Sequence, residues 1–248
     1  MEQSYQPNPG KTRAIKTPFG AFARLPIRTH VIMKNDRLSD LMDRYVVGQV
    51  TPIDCLFISE KVVAITQGRA YDIKDIHPSK LARLLCRFVY KSPYGIGLGS
   101  PWTMQLALEE VGVPRMLFAA VCSAITKPFG IRGVFYKIAG TKARAIDGPC
   151  DCTIPPYNHY AKKAPDKPDA VARALAQQIG CTVVVIDAND LGVDVLGKSD
   201  QALSDAFCKA VFADNPLGQG AQSTPLAIVR PLDRAAADYR SGGNDISA

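Results

Sequence analysis

The feature that most constrains the fold is a run of β-branched residues at positions 182–186, with the sequence Thr-Val-Val-Val-Ile. Such runs are typical of strands that lie buried in the centre of a sheet. An amphipathic helical pattern at residues 168–179 comes before it, and Gly180 separates the two. The sequence therefore predicts a central strand that directly follows a helix.

Helical and strand patterns alternate along the rest of the chain, which predicts a fold of the α/β (mixed α+β) class. Serine, proline and glycine residues mark several of the helix ends. Further strands are predicted at residues 55–59, 133–139 and 225–229, and further helices at residues 37–46, 101–112, 114–125 and 199–212, with another that begins at Pro78.

Composition and the positions of residues that interrupt helices and strands set the expected domain limits. We predict a flexible leader at residues 1–25, one domain at residues 26–234 and a flexible polar tail at residues 235–248. Residues 147–168 are rich in proline, aspartate and tyrosine, which indicates a long loop or a boundary between two lobes.

Charge and hydropathy exclude several classes of partner. The formal net charge of +7 suits an anionic ligand such as a nucleotide, but basic residues are not interleaved with aromatics as nucleic-acid binding requires. No apolar run approaches the ~20 residues that span a bilayer, so we expect no membrane partner. Because no apolar signal core is found near the N-terminus, we expect a cytoplasmic protein.

The first candidate site lies at residues 56–69, where an apolar strand runs into a polar turn. This turn contains Lys61, Gly68 and Arg69. Cations at a strand end can clamp phosphate or carboxylate groups, and glycine allows a ligand to approach the backbone closely. The alternative is a solvated hairpin with ordinary surface charges.

The second candidate site follows the central strand. Asp187, Asn189 and Asp190 come directly after its apolar residues. Ligands of open α/β sheets bind at the carboxyl ends of strands, and oxygen donors there suit Mg²⁺ or Mn²⁺. The alternative is that these side chains only cap a turn.

Asp147 forms a third candidate, because it follows a short apolar step and precedes a glycine turn. Together, Asp147 and Asp187 could hold one or two divalent ions that bridge nucleotide phosphates. The alternative is an ordinary Gly-Pro turn that begins with an aspartate.

In chain order, several of these segments resemble the coenzyme F-420:gamma-glutamyl ligase family, from about Pro26 to Arg230. The family pattern of a strand, a Lys-containing step and Gly-Arg is similar to residues 56–69. The other similar segments are Pro78-Ser79, Ala139-Gly140 before Asp147, the strand ending at Asp187 with Gly192 or Gly197 after it, and residues 218–225 before Arg230.

The resemblance implies a fold with two lobes and mixed sheets, and a homodimer. It also implies an amide ligase that uses GTP or ATP with Mg²⁺ or Mn²⁺ to join an amino acid such as L-glutamate to a small-molecule carboxylate. The implied site has Lys61 and Arg69 as catalytic residues, Ser59, Gly68 and Asn189 at the nucleotide, and Asp147, Asp187 and Asp190 at the metal.

Departures from the family pattern leave alternatives open. The family's Ser-Lys pair is Ala64-Ile65 here, and glutamines stand at positions 67, 219 and 222 where the family has glutamates. These differences favour a homologue that binds a nucleotide or metabolite without ligation. A metal-dependent phosphohydrolase or nucleotidyl enzyme is a third reading.

Overall fold

The structure is a computed structural model that describes residues 5–89, 97–131, 133–151, 153–189, 192–218 and 220–233. These residues form two compact units. We call residues 5–67 with 165–233 the sheet unit, and residues 68–164 the helical unit. The predicted tail at residues 235–248 lies outside the described residues.

The secondary structure follows the chain through both units. The first part of the sheet unit contains β1 (Ala14–Thr17), β2 (Gly20–Ile27), α1 (Leu38–Tyr45), β3 (Cys55–Ser59) and α2 (Glu60–Thr66). The helical unit contains β4 (Ala70–Asp72), α3 (Lys80–Leu85), α4 (Pro101–Val111), α5 (Val113–Thr126), α6 (Val134–Ala139), α7 (Thr141–Arg144) and β5 (Tyr160–Lys162). The sheet unit then resumes with α8 (Pro168–Ile179), β6 (Thr182–Asn189), β7 (Gly192–Lys198), α9 (Asp205–Val211) and β8 (Leu226–Pro231).

The sheet unit is built on a six-stranded mixed sheet with the order β1-β2-β8-β3-β6-β7. Strands β3 and β6 are parallel, and the other neighbours are antiparallel. In the helical unit, β4 and β5 form a separate antiparallel pair. The mixed α+β class predicted from the sequence is therefore confirmed.

The predicted central strand is β6, and helices cover both of its faces. On one face, Val184 and Ile186 are fully buried in a cluster with Phe207 and Val211 of α9. The other face carries Val185, whose partner on β7 is Gly197. A Cβ atom at Gly197 would lie only 2.4 Å from the Pro168 carbonyl carbon, so the first turn of α8 packs directly on this backbone.

The helical unit has an apolar core of its own. This core is drawn from α3, α4, α5, α6, α7 and β5. Its fully buried residues include Ala82, Leu98, Met104, Ala107, Met116, Ala119 and Ala161. None of the helices described has both the length and the apolar character that a membrane span requires.

The structure corrects the strand predicted at residues 133–139, because α6 occupies this segment. Gly133 and Gly140 bound it with positive φ angles of 78° and 90°. A short apolar run of this length does not distinguish strand from helix by periodicity. The packing of α6 against α5 selects the helix here.

Part of the predicted leader is also corrected. Residues 14–25 lie largely in β1 and β2, and β2 pairs with β8 along its length. Phe22 is fully buried against the core on the α9 side. The sequence prediction was wrong here because the pairing of β2 with β8, a strand more than 190 residues later in the sequence, leaves no local signal.

Candidate functional site

The carboxyl ends of β3 and β6 lie at one edge of the sheet, because the strands are parallel and Ser59 is paired with Ile186. Asp187 and Asn189 continue β6 beyond this pair. This is the edge at which open α/β sheets bind ligands. Strand alternation directs Ser59 and Asp187 to opposite faces of the sheet.

An acidic pair lies on the face that carries Asp187. The direct partner of Asp187 across the antiparallel β6–β7 ladder is Asp194. Directly opposed like charges destabilise a strand pair unless a cation or solvent offsets them. Asp194 was not predicted, although Asn189 and Gly192 at the first and fourth positions of a β-turn would have placed it opposite Asp187.

Two of the predicted cofactor-binding residues have local structural roles. The Asn189 side-chain oxygen accepts a hydrogen bond from the Gly192 backbone N–H at 3.1 Å, which closes the β6–β7 connection. The Ser59 hydroxyl caps α2 and accepts from the Lys61 backbone N–H at 3.3 Å. The turn-capping alternative therefore accounts for the Asn189 contact, and Asp190 lies outside the described residues.

Lys61 lies in the first turn of α2, so the polar turn predicted after the strand is wrong. The helix forms because Val62, Val63, Ala64 and Ile65 are buried while Ser59 caps the N-terminus. Lys61 itself is half-buried and lies two residues after the carboxyl end of β3. Gly68 follows α2 with a φ of 69°, a left-handed geometry that favours glycine.

In the helical unit, Arg69 is held by two partners. Its Nη2 atom lies 2.7 Å from Glu110 Oε1, and its Nε–H donates to the Ala164 carbonyl oxygen. The Arg69 and Glu110 side chains are 18% and 11% exposed. This pairing fixes the direction of the guanidinium group.

Glu110 is the centre of a larger charged cluster that the sequence analysis did not find. Lys142 and Lys163 place their ammonium groups 3.2 Å and 3.9 Å from its carboxylate oxygens. Burial acts to raise the pKa of Glu110, but hydrogen bonds from Lys142 and Arg69 outweigh it and hold the pKa below its usual value. An acid in the last turn of α4 faces an unfavourable helix dipole, which was the available signal that cations lie nearby.

Asp147 is paired with Lys162. Their backbones form a two-bond bridge, with N–H to carbonyl distances of 3.0 and 2.8 Å. Lys162 Nζ lies 3.3 Å from Asp147 Oδ2, and the lysine side chain is only 2% exposed. The predicted metal ligand therefore already has a cationic partner.

The predicted metal ligands are divided between the units. Asp187 belongs to the sheet unit and Asp147 to the helical unit, so their binding of a common ion stays a prediction. Among the described residues, no three His, Cys, Asp or Glu side chains form a cluster able to hold a metal. The oxygen donors of Asp187 and Asp194 suit a hard divalent ion, whereas Lys162 competes with one at Asp147.

Comparison with known families places this geometry in context. The chain matches the family model described as F420-0:Gamma-glutamyl ligase over residues 26–203. No curated protein matches the chain. The family match covers well over half of the 248 residues and includes β3, α2, the helical unit, β6 and β7. The chain therefore belongs to the F420-0:gamma-glutamyl ligase family.

Proposed function

We propose that the protein is an amide ligase that joins an amino acid such as L-glutamate to a small-molecule carboxylate with the use of GTP or ATP. The observation that supports this most is the family match, because residues 26–203 contain every site residue predicted from the sequence. We also propose that it acts in the cytoplasm, and that it is the homodimer that the resemblance implies.

The proposed metal ligands are Asp187, Asp190 and Asp147, with Mg²⁺ or Mn²⁺ as the ion. Such an ion would neutralise part of the negative charge on the phosphates. The position of Asp187 at the carboxyl end of β6 and its opposition to Asp194 support this assignment. Asp194 is added to the ligand set by its place on the same face.

The proposed cations at the nucleotide are Lys61 and Arg69. Phosphoryl transfer depends mainly on positioning and on charge neutralisation. Arg69 is oriented by Glu110 and can direct its remaining N–H groups to a phosphate or carboxylate. Ser59, Gly68 and Asn189 would border the nucleotide with short side chains and backbone groups.

The proposed reaction moves the terminal phosphoryl group of the nucleotide to the substrate carboxylate. The amine of the amino acid then attacks the activated carbonyl carbon, and inorganic phosphate leaves as the amide bond forms. Substrate specificity lies with residues that bind the carboxylate and the amino acid. Because the carboxylate and the amine of the amino acid both take part in this reaction, turnover of nucleotide must require both of them. A phosphohydrolase requires neither.

A second candidate function is a nucleotide- or metabolite-binding homologue without ligase activity. Two observations favour it. Ala64 and Ile65 stand where the family has Ser-Lys, and both are buried in α2. In addition, Lys162 neutralises Asp147. The ligase would hydrolyse nucleotide as it forms the amide, whereas the binding homologue would bind the nucleotide without consuming it.

The discriminating experiment measures nucleoside diphosphate and phosphate release from GTP and ATP in the presence of Mn²⁺. Release that requires both a carboxylate acceptor and an amino acid supports the ligase. Saturable nucleotide binding without release supports the binding homologue. Release without any amine acceptor supports a phosphohydrolase and contradicts both.

Substitution of Asp187 tests the metal assignment. We expect Asp187→Asn to abolish the Mn²⁺-dependent part of nucleotide binding, because an amide supplies no negative charge to a divalent ion. The measurement is calorimetric titration of nucleotide with and without Mn²⁺. Asp40→Asn, on the exposed side of α1, is the matched control. Unchanged metal dependence in Asp187→Asn would defeat the assignment.

A further inference from the structure

The solvent-facing side of α5 is apolar apart from Arg115 in its first turn. Its buried side packs into the helical unit through Met116 and Ala119. Phe118, Val121 and Ile125 on the outer side are 61%, 56% and 61% exposed. We call the exposed apolar set the α5 face, and it consists of Val113, Pro114, Leu117, Phe118, Val121, Ala124 and Ile125.

The apolar surface continues beyond the end of the helix. Phe129 is 78% exposed and Ile131 is 53% exposed in the segment that follows. Contiguous exposed apolar surface of this kind marks an interaction site. The α5 face is therefore a candidate interaction surface.

The segment that contains α5 is basic, although Glu109 and Glu110 directly precede it at the end of α4. Residues 111–146 contain six basic residues and no aspartate or glutamate. Those six are Arg115, Lys127, Arg132, Lys137, Lys142 and Arg144. Arg115 and Lys127 stand near the two ends of the helix, and both are exposed. The partner must therefore tolerate or attract positive charge.

A second copy of the chain does not satisfy this requirement. A two-fold symmetric contact between α5 helices in antiparallel orientation would bring Arg115 of one copy beside Lys127 of the other. Residues 111–146 contain no acidic residue to offset that repulsion, and Glu109 and Glu110 before them are already paired with Lys163, Arg69 and Lys142. Like charges brought together at an interface oppose association.

We propose that the α5 face binds the surface of an anionic lipid bilayer. Helices that lie in the membrane interface bury an apolar face at the acyl boundary, while flanking Lys and Arg residues contact acidic headgroups. The α5 face provides no side-chain hydrogen-bonding group to fix the register of a protein partner, and a bilayer needs none. Phe118, Val121, Ile125 and Phe129 would enter the interface.

This contact is peripheral. The 14 residues of α5 are too few to span the ~20-residue thickness of a bilayer. The inference revises the expectation of no membrane partner, which rested on the absence of a spanning segment. It does not depend on the ligase proposal, because it rests on the surface of α5 alone.

The test is cosedimentation of the full chain with vesicles. One set contains equal parts of phosphatidylcholine and phosphatidylglycerol, and the other contains phosphatidylcholine alone. We expect about tenfold or greater preference for the anionic vesicles, and a decline as salt screens the headgroups. Equal binding to both sets, or no binding to either, would overturn the proposal.

Ile125→Glu removes the apolar contact, and Lys127→Glu reverses a flanking charge while the α5 face stays intact. Both should reduce anionic-vesicle binding by about tenfold or more. Ile53→Glu, a 51% exposed position of the sheet unit, is the matched control and should bind like the parent. Retained binding in Ile125→Glu contradicts the proposal.

Two other measurements identify a different occupant. Sedimentation velocity of the parent and of Ile125→Glu detects self-association through the α5 face. A dimer that Ile125→Glu dissociates, without vesicle binding, would assign the face to a second copy. A stability loss in Ile125→Glu that Ile53→Glu lacks would assign it to the chain itself. Either result overturns the bilayer proposal.

Discussion

Arg24 is fully buried on β2, and its charge is balanced by groups from distant parts of the sheet unit. Its guanidinium group forms an ion pair with Asp214 and donates to the Thr12 carbonyl oxygen at 2.7 Å. Burial acts to raise the pKa of Asp214, but the hydrogen bond from Arg24 outweighs it and keeps the pKa below the ordinary value of 3.8.

This pair predicts a component of acid sensitivity. Because the folded-state pKa of Asp214 is depressed, its stabilisation is complete above pH 3.8 and is lost as the pH falls below that value. Asp214→Asn should lower the free energy of unfolding at neutral pH by about 2 kcal/mol, less than for a fully buried pair because Asp214 is partly hydrated.

The measurement is urea unfolding at neutral pH and below pH 3.8. Asp214→Asn should lose less stability on acidification than the parent, because the titrating group is gone. Asp40→Asn, at an exposed position, should follow the parent at both pH values. An identical pH dependence in Asp214→Asn and the parent would contradict the role given to the pair.

At the level of elements, the backbones of β7 and the start of α8 approach each other closely. A Cβ atom at Gly197 would meet the Pro168 carbonyl carbon at 2.4 Å and the Asp169 backbone nitrogen at 2.6 Å. The Asp169 carboxylate also accepts from the Lys198 backbone N–H at 2.8 Å. These contacts set the separation between α8 and the sheet.

Gly197→Ala should therefore destabilise the protein by about 3 kcal/mol, since backbone atoms must move to admit the methyl group. Gly192→Ala, on the same strand, meets nothing within 4 Å and is the matched control. Chemical denaturation of both variants measures the difference. Equal stability of the two would show that α8 is not seated on β7 as described.

Elements with strong local signals could be predicted from sequence. The helix at residues 168–179 is found with the predicted bounds, and α4 has the predicted Ser100 cap and ends at Gly112. The prediction for the segment after β3 failed because a run of buried residues, Val62 to Ile65, holds it in a helix although Lys61 and Thr66 beside that run are polar. There, tertiary packing overrides the local appearance of a turn.

The site was predictable only in part for a related reason. The sequence located the carboxyl end of β6, which depends on a local strand pattern. It did not locate the partners Asp194, Glu110 and Lys162, because these are set by strand register and by packing between elements distant in sequence. Long-range pairs of this kind have no spacing in the sequence that identifies them.

For the molecule as a whole, the helical unit is an insertion into the sheet unit. The chain leaves at Gln67 and returns at Pro165. The Gln67 amide N–H donates to the Asp166 carbonyl oxygen at 2.9 Å, and its amide oxygen accepts from the Asp166 backbone N–H at 2.7 Å. The two ends of the insertion are therefore held together by the sheet unit itself.

We predict that residues 68–164 can be replaced by a short Gly-Ser linker without loss of the six-stranded sheet. Every residue of the cluster around Phe57 and Phe207 comes from the sheet unit, so the cluster is retained. Circular dichroism and urea unfolding would show a cooperative transition. Gln67→Ala in the shortened chain should weaken it, and an uncooperative transition would contradict the prediction.

The strand order has a consequence for biosynthesis. β8 is the last strand described along the chain, yet it lies between β2 and β3, and β2 is hydrogen-bonded to the rest of the sheet only through it. A nascent polypeptide that has not yet emerged past residue 231 cannot join its N-terminal hairpin to the remaining strands. Completion of the sheet on the ribosome must therefore await translation past residue 231, which exposes Phe22 and its neighbours to chaperones until that moment.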